Sequence, residues 1–311
     1  MTDNLLQSHS PVDVAFITVN YNTKALLEEL VAFFRHTHLS FSWSLTVADN
    51  ASTDGSLEFL DACPDVITLR NSDNLGYGRA MNRGIAASES RYLCLLNTDV
   101  ILNSEALEEL VRHCDAHPGV QVCSPVIRYP NGKVQGFFFK FGLVTLYVDL
   151  YKKIWNKIFK IKLASAQCAL PVDGIAGAFI FCRRELAPDG RLFDEDFFFY
   201  YEDTELAHRL FKQGARCEVL PRQNIIHIGG QSSSIRHIRL FYTGRYLYIR
   251  KHYGEFHARL VFQLDCVKIS KKSFFYRLAG LISSGEKIRF KQQSYGHVAQ
   301  ILEELKGRNG L

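Results

Sequence analysis

Over the first hundred residues, short apolar runs alternate with stretches of helical periodicity. VDVAFITV (12–19) is apolar at almost every position, the pattern of a strand buried on both faces. From Thr23 onward Leu26, Leu30 and Phe34 recur every four residues with Leu27 and Val31 beside them, which predicts a helix. SLTVA (44–48), VITLR (66–70) and RYLCLLN (91–97) repeat the strand pattern, separated by a short helix in GSLEFLDAC and another over about 78–88. This β-α-β-α order with unbroken apolar strands predicts an α/β fold with a mostly parallel sheet covered by helices on both faces. Farther along, Leu206 and Leu210 share a face with Ala207 and Phe211 and Gly214 follows, so a helix is expected over 204–212. HVAQILEELKG (297–307) reads as an amphipathic closing helix.

Composition narrows the class. The 311 residues are 47% hydrophobic and 22% charged, enough for a large core, which excludes disordered, collagen-like and small disulfide-stapled chains. Net charge is +5 but uneven: residues 1–130 hold 8 Lys/Arg against 16 Asp/Glu, a net −8, and residues 131–311 hold 29 against 16, a net +13. A basic second half points to phosphates of some kind. No helix-turn-helix, zinc-finger or RNP pattern supports nucleic acid as their source. The eight cysteines form no C-x-x-C pair and several lie in apolar runs, so reduced thiols are expected rather than a zinc ribbon or disulfide framework. MTDNLLQSHSPVD lacks a basic n-region and a long apolar stretch, which predicts no secretory signal. No run approaches the ~20 apolar residues of a membrane span. The expected location is cytoplasmic, soluble or peripheral.

Each predicted strand ends in the same chemistry: NYNT, DNASTDGS, NSDNLGYG and NTD. Turns favour Asn, Asp and Gly on their own account, but four such ends in register lie where open α/β sheets bind ligands. GYGRAM (76–81) has Met81 where a dinucleotide fingerprint needs its third glycine, and it follows the third strand rather than the first. There is no P-loop, H-E-x-x-H or G-x-S-x-G. Amide and acidic side chains remain, suited to a base and ribose, with Asp99 suited to a cation bridging phosphates.

FITVNYNT, DNASTDGS, NLGYGRAMNRG, LLNTDV, GAFIFCRRE and FFYYEDTELAHRL, in that order over about 12–232, resemble a family-2 glycosyltransferase of the inverting GT-A fold, which implies a Rossmann-like α/β architecture with a mixed, mostly parallel sheet flanked by helices. IHIGGQSS and the tail are most similar to bacterial rhamnosyltransferases of polysaccharide assembly. The resemblance implies donor-binding roles for Asn20, Asp49, Asn74, Gly76, Arg79 and Asn97, with Asp49 meeting the imide N–H of uracil or thymine. Asp54 suits turn capping better than Asp49 does, and Arg79 reads equally as a surface helix residue. The metal motif, often D-x-D, here begins with Asn97, leaving Asp99 as its carboxylate; His227 is the expected second ligand of Mg²⁺ or Mn²⁺, or else a satisfied strand-end histidine. Asp203 is the implied general base with Glu202 orienting it or the acceptor, although Asp203 also suits a helix N-cap. Gly177 and Tyr200 or Tyr201 fall on the acceptor side, where Gly177 can equally mark a bulge and the aromatic run can be core.

The implied reaction moves a sugar, first of all L-rhamnose from dTDP-rhamnose, to a saccharide hydroxyl of the polyprenyl-linked kind. A UDP-hexose donor, a sugar nucleotidyltransferase and a non-catalytic nucleotide- or carbohydrate-binding module are the alternatives. The expected organisation is a GT-A catalytic domain over 1–235, with a nucleotide-sugar half over about 12–130 and an acceptor half over about 131–235 carrying a basic aromatic insert at 137–165. A helical basic C-terminal region, 236–311, follows. Within 137–162, six lysines surround Ile154, Ile158 and Ile161, and 268–291 carries seven Lys/Arg against one acid. Both read as helices at a membrane surface, with a homodimer seam or a lid as the alternative.

Overall fold

β1 (Val12–Asn20) runs through the interior of a sheet in the computed structural model, which describes residues 11–136, 138–147, 149–229, 235–282 and 285–309. Val14, Ala15, Phe16 and Ile17 are fully shielded from solvent, as a strand covered on both faces requires. α1 (Lys24–His36), β2 (Trp43–Asp49), α2 (Ser56–Asp61), β3 (Ile67–Arg70), α3 (Tyr77–Ala86) and β4 (Ser90–Asn97) follow. β2 and β4 flank β1 and β3 pairs with β2, all in parallel, so four carboxyl ends share one edge. β3 is less buried than its apolar letters suggest: it is the edge strand, and Ile67 lies exposed. A Cβ on Gly84 would stand 2.3 Å from Ile17 Cγ2, so the glycine lets α3 lie directly on β1.

The chain then builds β5 (Val100–Ile101), α4 (Ser104–Ala116), β6 (Val122–Arg128), β7 (Phe138–Phe139), α5 (Leu143–Tyr147), α6 (Asp149–Ser165), β8 (Leu170–Val172), β9 (Gly174–Ile175), β10 (Phe179–Arg183), α7 (Glu202–Lys212) and β11 (Cys217–His227). The sheet order is β3-β2-β1-β4-β10-β6-β11-β5, with β8 on β11. β10 runs antiparallel between β4 and β6, which makes the sheet mixed and returns the chain to the tip of β4. α7 begins at Glu202, earlier than its apolar periodicity suggests, so Asp203 sits inside the first turn instead of capping it.

Two compact units divide the chain. The first holds the sheet, through Asp196 and again over Glu202–Gly229; the second holds Phe197–Tyr201 and the chain from Gly230 onward. In the second, α8 (Ile235–Tyr253), α9 (Glu255–Ile282) and α10 (Glu286–Asn309) pack through Tyr246, Ile249, Val261, Phe262 and Ile269, with Val298, Ile301, Leu302 and Leu305 at the helical spacing expected for the tail. Arg245 Nε donates to Asp265 Oδ2 at 3.0 Å. No helix among the described residues is long and apolar enough to cross a membrane.

Candidate functional site

At the shared strand edge, Asp49 is fully buried. Its Oδ2 accepts from Asn20 Nδ2 at 2.7 Å and its Oδ1 from the Ser52 N–H at 2.9 Å. Asn20 Oδ1 in turn accepts from Thr23 Oγ1 at 2.6 Å, tying the ends of β1 and β2 together with the Asn20 and Asp49 side chains shielded from solvent. Asp54 takes the capping role: its Oδ1 accepts from the Ser56 N–H and its Oδ2 from the Lys24 N–H. Asn50, which the sequence did not single out, donates through Nδ2 to Gly76 O at 3.2 Å and to Asn74 Oδ1 at 3.3 Å, and accepts from Asn71 Nδ2 at 2.7 Å. It locks the loop after β3, with Gly76 at φ 84, beside the β2 end. Arg79 is half exposed; its Nε donates to Glu195 O at 3.2 Å.

Asp99 and His227 do converge. β5 pairs antiparallel with the end of β11, opposing Val100 to His227, and the Ile228 N–H donates to Asp99 O at 3.0 Å. His227 Nε2 lies 3.2 Å from Asp99 Oδ1, and Asp99 Oδ2 accepts from the Gly229 N–H at 3.0 Å. Burial pushes the Asp99 carboxyl up, but the His227 ring and that N–H outweigh it and hold the group below the ordinary carboxylate range. The remaining ring nitrogen is fixed by Gln135. Its Nε2 donates to His227 O at 2.6 Å, which leaves Oε1 to accept from Nδ1–H at 2.9 Å. Nδ1 is thereby committed to Gln135 and Nε2 is the ring nitrogen that faces the Asp99 carboxylate, the placement a shared cation would use. One carboxylate and one imidazole suit Mn²⁺ or Mg²⁺ whose other positions are filled by phosphate oxygens and water. Among the described residues no group of three His, Cys, Asp or Glu side chains could hold a metal unaided.

Asp203 faces the start of β10. Its Oδ2 accepts from the Gly177 N–H at 2.9 Å and its Oδ1 from the Thr204 N–H at 2.6 Å. A Cβ on Gly177 would stand 2.9 Å from Asp203 Cβ, so the close approach that requires glycine here is that of Asp203 itself. Glu202 is buried with Oε2 unpartnered; burial first, and the Asp203 charge second, push its carboxyl up to about 8. No hydrogen bond links Glu202 to Asp203 among the described residues, so Gly177 and Thr204 are what orient Asp203. The Asn97 N–H donates to Ala178 O at 3.1 Å, joining the β4 tip to the turn that holds Asp203. The buried Tyr77 donates its hydroxyl to Gly177 O at 3.2 Å. Burial first, then the charges of Glu202, Asp203 and Asp99, push that phenol well above its ordinary value.

Tyr200 and Tyr201 belong to the second unit. Both are left-handed, at φ 70 and 71, and their rings pack on Phe241, with Tyr201 also against Tyr248. Neither Gln135 nor Tyr77 carried a signal in the sequence. Gln135 acts on a ring 92 positions away, and Tyr77 was hidden in the apolar face of α3. Part of the IHIGGQSS stretch, from Gly230, lies outside the described residues, as do Phe137 and Val148 of the basic aromatic segment and the first ten residues of the N-terminus.

Comparison with known proteins adds to this geometry. The sequence model described as Glycosyl transferase family 2 matches residues 15–189. An N-acetylglucosaminyl-diphospho-decaprenol L-rhamnosyltransferase of Mycobacterium tuberculosis is 26% identical over 240 residues, covering 70% of this chain and 78% of that one. The abequosyltransferase RfbV of Salmonella typhimurium is 28% identical over 116 residues, 35% of each chain. Among solved structures, the mannosyltransferase PcManGT of Pyrobaculum calidifontis, in complex with GDP-Man and Mn²⁺, superposes with a TM-score of 0.58 at 14% identity, covering 97% of this chain and 88% of that one. TarS 1–349 of S. aureus in complex with UDP gives 0.52 at 15% identity, covering 96% and 92%.

Proposed function

Because the chain belongs to glycosyltransferase family 2, we propose that it transfers a sugar, with inversion, from a nucleoside-diphosphate donor to a hydroxyl of a saccharide acceptor. The observation that carries this reading is the junction at the β4 tip, where Asp99 pairs with His227 and the Asn97 N–H binds Ala178 O of the turn whose Gly177 holds Asp203. Asn20 and Asp49 lie at the strand ends where the base is read to sit; Asp49 is shielded and would meet an imide N–H once the loop clamped by Asn50 opens to admit the base. Asp99 and His227 would hold Mn²⁺ or Mg²⁺ against the donor diphosphate, where the cation's charge stabilises the departing group. The acceptor oxygen attacks the anomeric carbon as the bond to the diphosphate breaks. Its proton passes to the Asp203 carboxylate, and the bond electrons leave with the nucleoside diphosphate. Gly177 and Thr204 keep Asp203 from rotating away during that transfer.

L-Rhamnose from dTDP-rhamnose is the first reading of the donor, supported by the mycobacterial relative; a UDP-hexose is the second, supported by the TarS likeness to a UDP complex. The acceptor is read as a polyprenyl-linked saccharide, as the relative's name describes for that protein, in bacterial cell-surface polysaccharide assembly on the cytoplasmic face of the membrane. α6 supports that placement: Ile154, Ile158 and Ile161 are exposed along one side with Lys153, Lys157 and Lys162 beside them. A thermal-shift panel of nucleotide sugars with Mn²⁺ and Mg²⁺ tests the donor; stabilisation by dTDP but not UDP species supports rhamnose. Asp203→Asn should bind donor yet lose transfer, and Asp99→Ala should lose metal-dependent donor binding. Transfer retained by Asp203→Asn removes Asp203 as the base.

A further inference from the structure

α9 has two apolar faces where a helix on the surface of a bundle has one. The inner face packs through Ala258, Val261, Phe262, Ile269 and Ser273, all buried. On the opposite side Leu264, Val267, Phe274, Phe275 and Leu278 form a stripe, each between 44 and 64% exposed. It extends for about 21 Å along the axis at the usual helical rise. Lys271 sits within it, and Lys268 and Arg277, all exposed, border it, while Lys272 turns its ammonium over the Tyr295 ring of α10 at 5.1 Å. Asp265, the acid of α9 between Leu264 and Leu278, is turned to Arg245, so the charged side chains that this stretch of α9 itself places in and beside the stripe are cationic.

We propose that the outer face of α9 docks on an anionic phospholipid surface, its phenylalanines entering the acyl boundary and its lysines and arginine meeting lipid phosphates. Charge decides the occupant. A second copy of this chain pairing through the same stripe would set Lys271 and its bordering cations against their own equivalents, repulsive at a seam that also strips their water. An anionic bilayer accepts both the apolar centre and the cationic border, because lysine stems lie along apolar surface while their ammonium groups reach phosphate. The inference deepens the reading of a lipid-borne acceptor and rests on it for its purpose. It places the contact on side chains remote in sequence from every donor, metal and base residue.

The test is cosedimentation of the full chain with vesicles of phosphatidylglycerol and phosphatidylcholine, against vesicles of phosphatidylcholine alone, with neither donor nor acceptor present. The parent should bind the anionic vesicles, and less as salt rises. Phe274→Ser with Phe275→Ser should lower affinity by about tenfold or more. Lys271→Gln with Arg277→Gln should lower it about fivefold per charge removed, and this second pair keeps the proposal testable should the first fail to fold. Both should keep the parent's nucleotide-induced thermal shift, which scores the transferase reading separately. A parent that ignores anionic vesicles, or either pair binding like the parent, overturns the proposal. A parent dimer that Phe274→Ser converts to monomer also overturns it and reassigns the face to a second copy.

Discussion

Gly177→Ala isolates the clamp on Asp203. The added Cβ would stand 2.9 Å from Asp203 Cβ and 3.5 Å from its Oδ2, whereas apolar carbon contacts relax to about 3.5–4.0 Å. One side must therefore retreat by something under 1 Å, on the order of the 2.9 Å to contact-distance gap. Asp203 stands in the first turn of α7, and the turn at 177 is bonded to Asn97 through Ala178, so the strain falls on the Gly177 N–H bond to Oδ2. Overpacking of this kind costs about 1–3 kcal/mol of stability. A reacting group displaced by roughly 1 Å costs about a hundredfold in rate. The expected result is kcat lower by about a hundredfold with donor affinity unchanged, read from nucleoside-diphosphate release and from calorimetric titration of donor. Gly119→Ala, where an added Cβ meets nothing within 4 Å, is the neutral control. If Gly177→Ala turns over like the parent, or loses donor affinity in step with kcat, the clamp does not position the base.

Glu202 makes stability depend on pH. Its folded-state carboxyl is raised to about 8 from 4.5, so between those values the unfolded chain releases a proton that the folded chain keeps, and stability falls as pH rises. Glu202→Gln should remove up to ~1.4 kcal/mol per pH unit of that slope, giving a higher Tm than the parent at pH 8 and no difference near pH 4.5; parallel Tm profiles would contradict the assignment. Gln135→Leu frees the His227 ring and should weaken Mn²⁺ binding by about 10–100-fold, measured by electron paramagnetic resonance of free Mn²⁺ in the presence of nucleoside diphosphate. An unchanged affinity would show that Gln135 orients nothing the metal uses. Asp49→Ala should destabilise by about 1–3 kcal/mol, because Asn20 Nδ2 loses a buried acceptor, and should also weaken donor binding; a variant as stable as the parent in urea would mean the pocket is wetter than its burial indicates.

The strands were legible because β1, β2 and β4 are covered on both faces, and burial leaves a continuous apolar run in the letters. The start of α7 was read late because the two left-handed tyrosines and the first helical residues, Glu202 and Asp203, carry no apolar period. Asp99, Asp203 and His227 could be found from their local blocks. What holds them could not. Gln135, Asn50 and Gly177 act on partners 92, 26 and 26 positions away in the chain, and no periodicity records such distances. The basic, aromatic character of 268–291 was legible as that of a surface helix, but which side of α9 it occupies was not, because its lysines interrupt the apolar stripe in the linear sequence.

The antiparallel return of β10 onto β4 has an architectural consequence. It ties the turn holding Asp203 to the middle of the sheet, while the loops that would recognise a base or an acceptor hang from separate strand ends. Substitution or lengthening in those loops can change what they contact without disturbing Asp203, the residue proposed as the base. Such a division lets a lineage diversify its substrates while its reaction chemistry stays fixed.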